Sequence, residues 1–161
     1  MKIRSVNILK LIGWIQIIGG ITGLGLIGYL LLQTVEITGA ILLIYLIGIS
    51  LFIFSIYTGN TLVFSLDKSR GLVLTIINQL LQLIQFSILG YGISYSSGAE
   101  LLIGLKGRSL DFNFAIVVST FIMSINSNHV FLIDVNLFAV LILVISIILY
   151  NRLKMNSPHC S

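Results

Sequence analysis

The chain has 161 residues, 57% of them hydrophobic and only 9% charged, with a net charge of +4 and a mean hydropathy of +1.11. Soluble domains carry about 25% charged residues, so this composition excludes a water-soluble fold and makes the lipid bilayer the expected solvent and partner. The nine basic residues stand at segment ends rather than on one face, which argues against nucleic acid as a partner.

Lys2, Arg4 and Lys10 precede an apolar run that reaches Leu32. That run exceeds the ~7–15 residues of a signal-peptide core and lacks an A-x-A-like cleavage site, so it is expected to be a retained first span. A hydrocarbon core of ~30 Å needs about 20 apolar residues, and four stretches approach that length: about 11–32, 39–57, 72–94 and 132–150. The expected fold class is therefore an all-α transmembrane bundle of four spanning helices, forming a single integral membrane domain over 1–161. Tyr91 and Tyr95 sit where an interfacial aromatic belt would fall.

Between the third and fourth spans, residues 96–131 are expected to form a small extracytoplasmic β-like insert. Leu110, Phe112, Phe114 and Ile116 alternate with Asp111, Asn113 and Ala115, which is the period-2 pattern of a half-buried strand. Turn signals stand at Lys106–Ser109 and at Asn126-Ser127-Asn128. The rival reading is a re-entrant helix or a fifth span over Phe112–Ile125.

Charge sets the threading, because Lys and Arg are retained on the cytoplasmic side. With four spans and the N-terminus inside, Lys2, Arg4, Lys10, Lys68, Arg70, Arg152 and Lys154 are cytoplasmic, seven in all, against Lys106 and Arg108 outside. A fifth span would put Arg152 and Lys154 outside and weaken the bias from 7:2 to 5:4. The expectation is a bacterial cytoplasmic (inner) membrane protein with both termini cytoplasmic.

The third stretch carries Asn78, Gln79, Gln82 and Gln85 in an apolar setting. Positions 78, 82 and 85 share one helical face, and amides in hydrocarbon must face protein or a wet cavity. The stripe serves either as interhelical glue or as a polar groove. At 1.5 Å per residue, Gln16 stands about 7–8 Å above Leu11 and Asn78 about 9 Å above Leu72, while Thr22 and Gln82 match at about 15–17 Å. These groups are expected to meet if the first and third helices are neighbours. Gly19, Gly20 and Gly23 form a small-residue seam for intramolecular packing or for a second copy. Asp134, with Asn136 beside it, is expected to cap the last helix at the outer interface. Glu100 and Asp111, flanking the insert with Lys106 and Arg108 at its tip, are expected to make surface pairs.

His129 and His159 lack metal-ligand spacing, and the lone Cys160 has no disulfide partner. No nucleophile–base motif, phosphate loop or zinc motif occurs, so no metal, cofactor or catalysis is expected. The expected function is a non-enzymatic accessory or scaffold subunit, assembled with another membrane protein or with itself. Alternatives are a transporter or channel component using the Asn78/Gln82/Gln85 stripe, and a membrane-disrupting effector.

Overall fold

In a computed structural model the chain is described for residues 3–88, 91–106, 109–115, 119–124 and 132–155. Arg108, the 126–128 turn, His129, His159 and Cys160 lie outside the described residues. The order is α1 (Ile3–Gln33), α2 (Gly39–Phe64), α3 (Lys68–Leu83), six strands, and α4 (Leu137–Met155). The strands are β1 (Ile84–Ile88), β2 (Tyr91–Ser97), β3 (Glu100–Lys106), β4 (Ser109–Ala115), β5 (Ser119–Ser124) and β6 (Leu132–Asn136).

Three helices among the described residues are long and apolar enough to cross a membrane: Val6–Gln33, Gly39–Phe64 and Leu137–Met155. Caps mark where α2 and α3 begin. The Thr38 hydroxyl accepts from Ile41 N at 3.4 Å, and the Asp67 carboxylate accepts from Arg70 N at 3.1 Å. Lys68 Nζ donates to the carbonyls of Leu62 and Val63, both at 3.0 Å, tying off the last turn of α2. Arg152 and Lys154 end α4, where cations suit the helix dipole.

The third stretch departs from the expected span over 72–94. Its helix is 16 residues and stops at Leu83, about 24 Å long at 1.5 Å per residue. From Ile84 the described chain turns to strands, six of them between Ile84 and Asn136 rather than within the expected 96–131. The fold is thus mixed, helical with a sheet insert, and not all-α. Phe112 to Ala115 and Ser119 to Ser124 are strands rather than a helical segment. The physical reason is alternation: Ile84-Gln85-Phe86-Ser87 and Ile93-Ser94-Tyr95-Ser96 place polar and apolar groups on opposite faces only at period 2.

The sheet is antiparallel throughout, in the order β4-β3-β6-β1-β2-β5. It must curl. Its edge strands β4 and β5 are consecutive in sequence, and Ala115 and Ser119 are four Cα steps apart, about 14 Å at most. Six strands laid flat would separate those edges by about 24 Å.

Two apolar cores result. Leu9 and Ile12 of α1, Leu62 of α2, Leu72 of α3, and Ile142 and Leu149 of α4 pack together, so the start of α1 and the end of α4 share one end of the bundle. Farther along, Ile27 of α1, Phe52 of α2 and Tyr95 of β2 form a second core, with Phe121 of β5 packed on it. The sheet therefore takes over from α3 and α4 as the neighbour of the far halves of α1 and α2.

Glycines make the close approaches. A Cβ on Gly59 would meet the Gly13 carbonyl at 2.5 Å, and one on Gly20 would meet the Phe52 carbonyl at 2.8 Å. Gly23 faces the Phe52 ring. Gly19 lies against the β2–β3 turn, where a Cβ would meet Gly98 N at 2.5 Å, and Gly98 itself has φ +117°, a conformation that favours glycine. The seam of Gly19, Gly20 and Gly23 is occupied by this chain's own α2 and β2. Gly59→Ala is expected to destabilise the fold by about 1–3 kcal/mol, whereas Gly25→Ala and Gly28→Ala, with nothing within 4 Å, stay neutral or gain stability. Reversible denaturation in mixed micelles measures the difference.

Candidate functional site

Asn78 and Gln16 are fully buried, and Gln79, Gln82 and Gln85 are nearly so. The amide stripe faces protein. Asn78 Nδ2 donates to Gln16 Oε1 at 3.4 Å and to Ser55 Oγ at 3.2 Å, and Gln16 Nε2 donates to Thr75 Oγ1 at 3.3 Å. The Ser55 hydroxyl also contacts the Gln16 carbonyl at 3.2 Å and Ser97 Oγ at 2.8 Å. Tyr95 OH donates to the Leu51 carbonyl at 3.0 Å and reaches Asn78 Oδ1 at 3.4 Å. A belt of polar side chains thereby joins α1, α2, α3 and β2 between the two apolar cores.

Thr22 and Gln82 do not meet. Thr22 Oγ1 bonds Ser119 Oγ of β5 at 3.0 Å and the carbonyls of its own helix. Gln82 Oε1 accepts from Ser97 N at 3.0 Å. Strands stand where a continuing third helix was expected, so each residue finds a strand partner instead.

Asn136, not Asp134, caps α4. Its Oδ1 accepts from Phe138 N at 3.1 Å and Ala139 N at 3.3 Å, and also from Leu101 N at 3.3 Å. Asp134 lies two residues earlier in β6, buried, opposite Gly104 of β3 and Gln85 of β1. Its carboxylate covers Gly104, where a Cβ would collide with it.

Register sorts the sheet into two faces. Gln85, Ser87, Gly92, Ser94, Ser96, Glu100, Gly104, Thr120, Asp134 and Asn136 share one face, with apolar exceptions that include Leu102 and Ile122. Ile84, Ile93, Tyr95, Leu101, Ile103, Phe121, Ile133 and Val135 share the other, where Ser97 and Ser119 bond to the helices.

The polar face is the concave one. Glu100 of β3 accepts from Gln85 Nε2 of β1, and its Oε2 accepts from Thr120 Oγ1 of β5 at 2.8 Å. Strands β3 and β5 have three strands between them, about 19 Å if flat, so one side chain can bridge to both only from inside the curl. Ser94 Oγ donates to Gln85 Oε1 at 2.5 Å, extending the same group. Glu100 is only 5% exposed, so the expected surface pairing is corrected: it belongs to the sheet interior.

Among the described residues, five buried polar side-chain atoms have no hydrogen-bond partner: Gln82 Nε2, Ser87 Oγ, Ser96 Oγ, Asn136 Nδ2 and Ser146 Oγ. Ser87, Ser96 and Asn136 lie on the concave face and Gln82 in the last turn of the helix leading into it. Native interiors pair such groups with protein, water or ligand, and three of the five gather on the concave face.

Gln85, Asp134 and Asn136 stand out in the sequence as polar residues in or beside apolar stretches, whereas Ser94, Ser96 and Thr120 do not and Glu100 reads there as a surface residue. The signal that finds them is the polar/apolar alternation over 84–97, which a long apolar average conceals. Replacing Asn78 by Leu is expected to cost about 1–3 kcal/mol by stranding Gln16, Ser55 and Tyr95. A Gln16/Asn78 double-mutant cycle should return a coupling of about 0.6–1.7 kcal/mol. The chain matches no protein-family model, no curated protein and no solved structure.

Proposed function

We propose that this chain is a non-enzymatic multi-pass membrane protein whose curled sheet encloses a polar binding compartment, making it the ligand-holding component of a membrane assembly. The observation that carries this reading is the simultaneous bonding of Glu100 to Gln85 and Thr120, which turns a polar face inward, while Ile84 and Ile93 on the opposite face and Ile122 on the edge strand β5 are exposed. Polar inside and apolar outside is the arrangement of a structure surrounded by lipid, and a curled sheet limits the unpaired edges that hydrocarbon penalises.

The threading goes with it. Four crossings place both termini on the cytoplasmic side of a bacterial inner membrane, with the third made by α3 continued by β1. The 7:2 charge bias supports that orientation. Among the described residues no group of three or more His, Cys, Asp or Glu gathers as a metal cluster would.

The scaffold reading is the second. It draws on the exposed apolar side chains of α1, including Leu11, Trp14, Ile18 and Ile21, which offer a face for lipid or for a partner helix. The glycine seam no longer favours a second copy, since α2 and β2 fill it.

Single-cysteine labelling in membranes, in a Cys160→Ser background, tests the compartment. Ser96→Cys should react with a small cationic methanethiosulfonate reagent, because thiolates form where water reaches. Ile93→Cys, on the apolar face, should stay inert. Equal reactivity at both positions, or none at Ser96→Cys, overturns the compartment and leaves the scaffold reading. Thiol probes placed near either terminus should label only from the cytoplasmic side.

A further inference from the structure

We propose that the concave face of the sheet binds a small monovalent metal cation, with the Glu100 carboxylate as its charged ligand. This inference rests on the compartment reading above. Glu100 is 5% exposed, and both of its oxygens are held by neutral donors, the Gln85 amide and the Thr120 hydroxyl. Lys106, the other charged residue of β3, stands six residues along the strand, about 20 Å away.

The level in the bundle makes this arrangement consequential. The second apolar core and the contacts of Gly19 and Gly98 set the sheet beside the far halves of α1 and α2. Leu30, Leu32, Leu42, Leu43 and Leu46 of those halves are exposed and apolar. Carboxylates enclosed at that depth are rare and by default mark an ion or substrate site.

Oxygen donors for such an ion converge on Glu100. Thr120 bonds it directly, Ser94 is one bond further through Gln85, and Ser96 pairs with Thr120 across β2 and β5. Ser96 is fully buried on the concave face, and its hydroxyl has no partner among the described residues. That hydroxyl is a buried oxygen free to meet an occupant, and such a group costs stability unless something meets it. Carboxylate, amide and hydroxyl oxygens suit hard cations. Asp134 lies on the same face, opposite Gln85, and the ion is assigned to the Glu100 carboxylate alone, which matches a single positive charge.

The test uses the full chain in lipid nanodiscs, comparing sodium, potassium and choline chloride at equal ionic strength. A bound ion stabilises the folded state by mass action. The melting temperature should therefore rise saturably with sodium or potassium over choline, and radioactive sodium or rubidium should bind saturably. Glu100→Gln keeps the shape, accepts from Gln85 and can donate to the Thr120 hydroxyl, which turns to accept, so it should remain folded in choline and lose both responses. Ser96→Ala should weaken the apparent affinity by about 10-fold. Identical melting in all three salts overturns the proposal, as does a salt response that survives Glu100→Gln. A pH-dependent stability that ignores the cation and disappears in Glu100→Gln also overturns it, since the carboxyl would then carry a proton instead. If Ser96→Cys labels from water while the salts make no difference, the cation site fails and the compartment stands. If Ser96→Cys does not label, both fail.

Discussion

Hydrocarbon offers no hydrogen bond, and every other feature of this chain follows from how it satisfies polar groups without water. The backbone of α1, α2 and α4 does so internally, as helices must. The side-chain amides cannot, and Asn78 and Gln16 instead find each other, Thr75 and Ser55. Single interhelical contacts of this kind are worth little, about 0.6 kcal/mol on average. Their value here is positional: they lie between two apolar cores and fix where α3 stands relative to α1 and α2.

That belt is also where the architecture changes from four helices to two helices and a sheet. Ser97 ends β2 on Ser55, Gln82 receives the Ser97 amide, and Asn136 joins β6 to α4 while taking the Leu101 amide of β3. Each of these groups serves a helix and a strand at once. A change at one of them therefore disturbs the packing of both halves, which separates them from the exposed apolar residues that meet lipid.

The two faces of the sheet divide the labour. Phe121 and Tyr95 pack on α1 and α2 through the apolar face, and the Phe52 and Tyr95 rings meet edge to face at 5.5 Å. The concave face gathers Gln85, Glu100, Thr120, Asp134 and Asn136. Gly104 has no side chain because the Asp134 carboxylate occupies that space. Curling is what gives these residues a common interior, since β3 and β5 would otherwise be too far apart for Glu100 to reach Thr120.

Composition alone determined that the chain is a membrane protein, because 9% charged residues cannot cover a water-facing surface. The apolar run lengths determined α1, α2 and α4, and alternation determined β4. The inward-facing amides were legible too, since hydrocarbon leaves them no other direction. Helix against strand over 84–97 was not legible from the apolar average. Short apolar runs fit either form, and β1 is extended because β6 and β2 flank it on both sides. The same is true of Glu100, Thr120 and Asn136. Their meeting depends on pairings between strands far apart in sequence and on the curl that those pairings permit, and only the tertiary structure decides these.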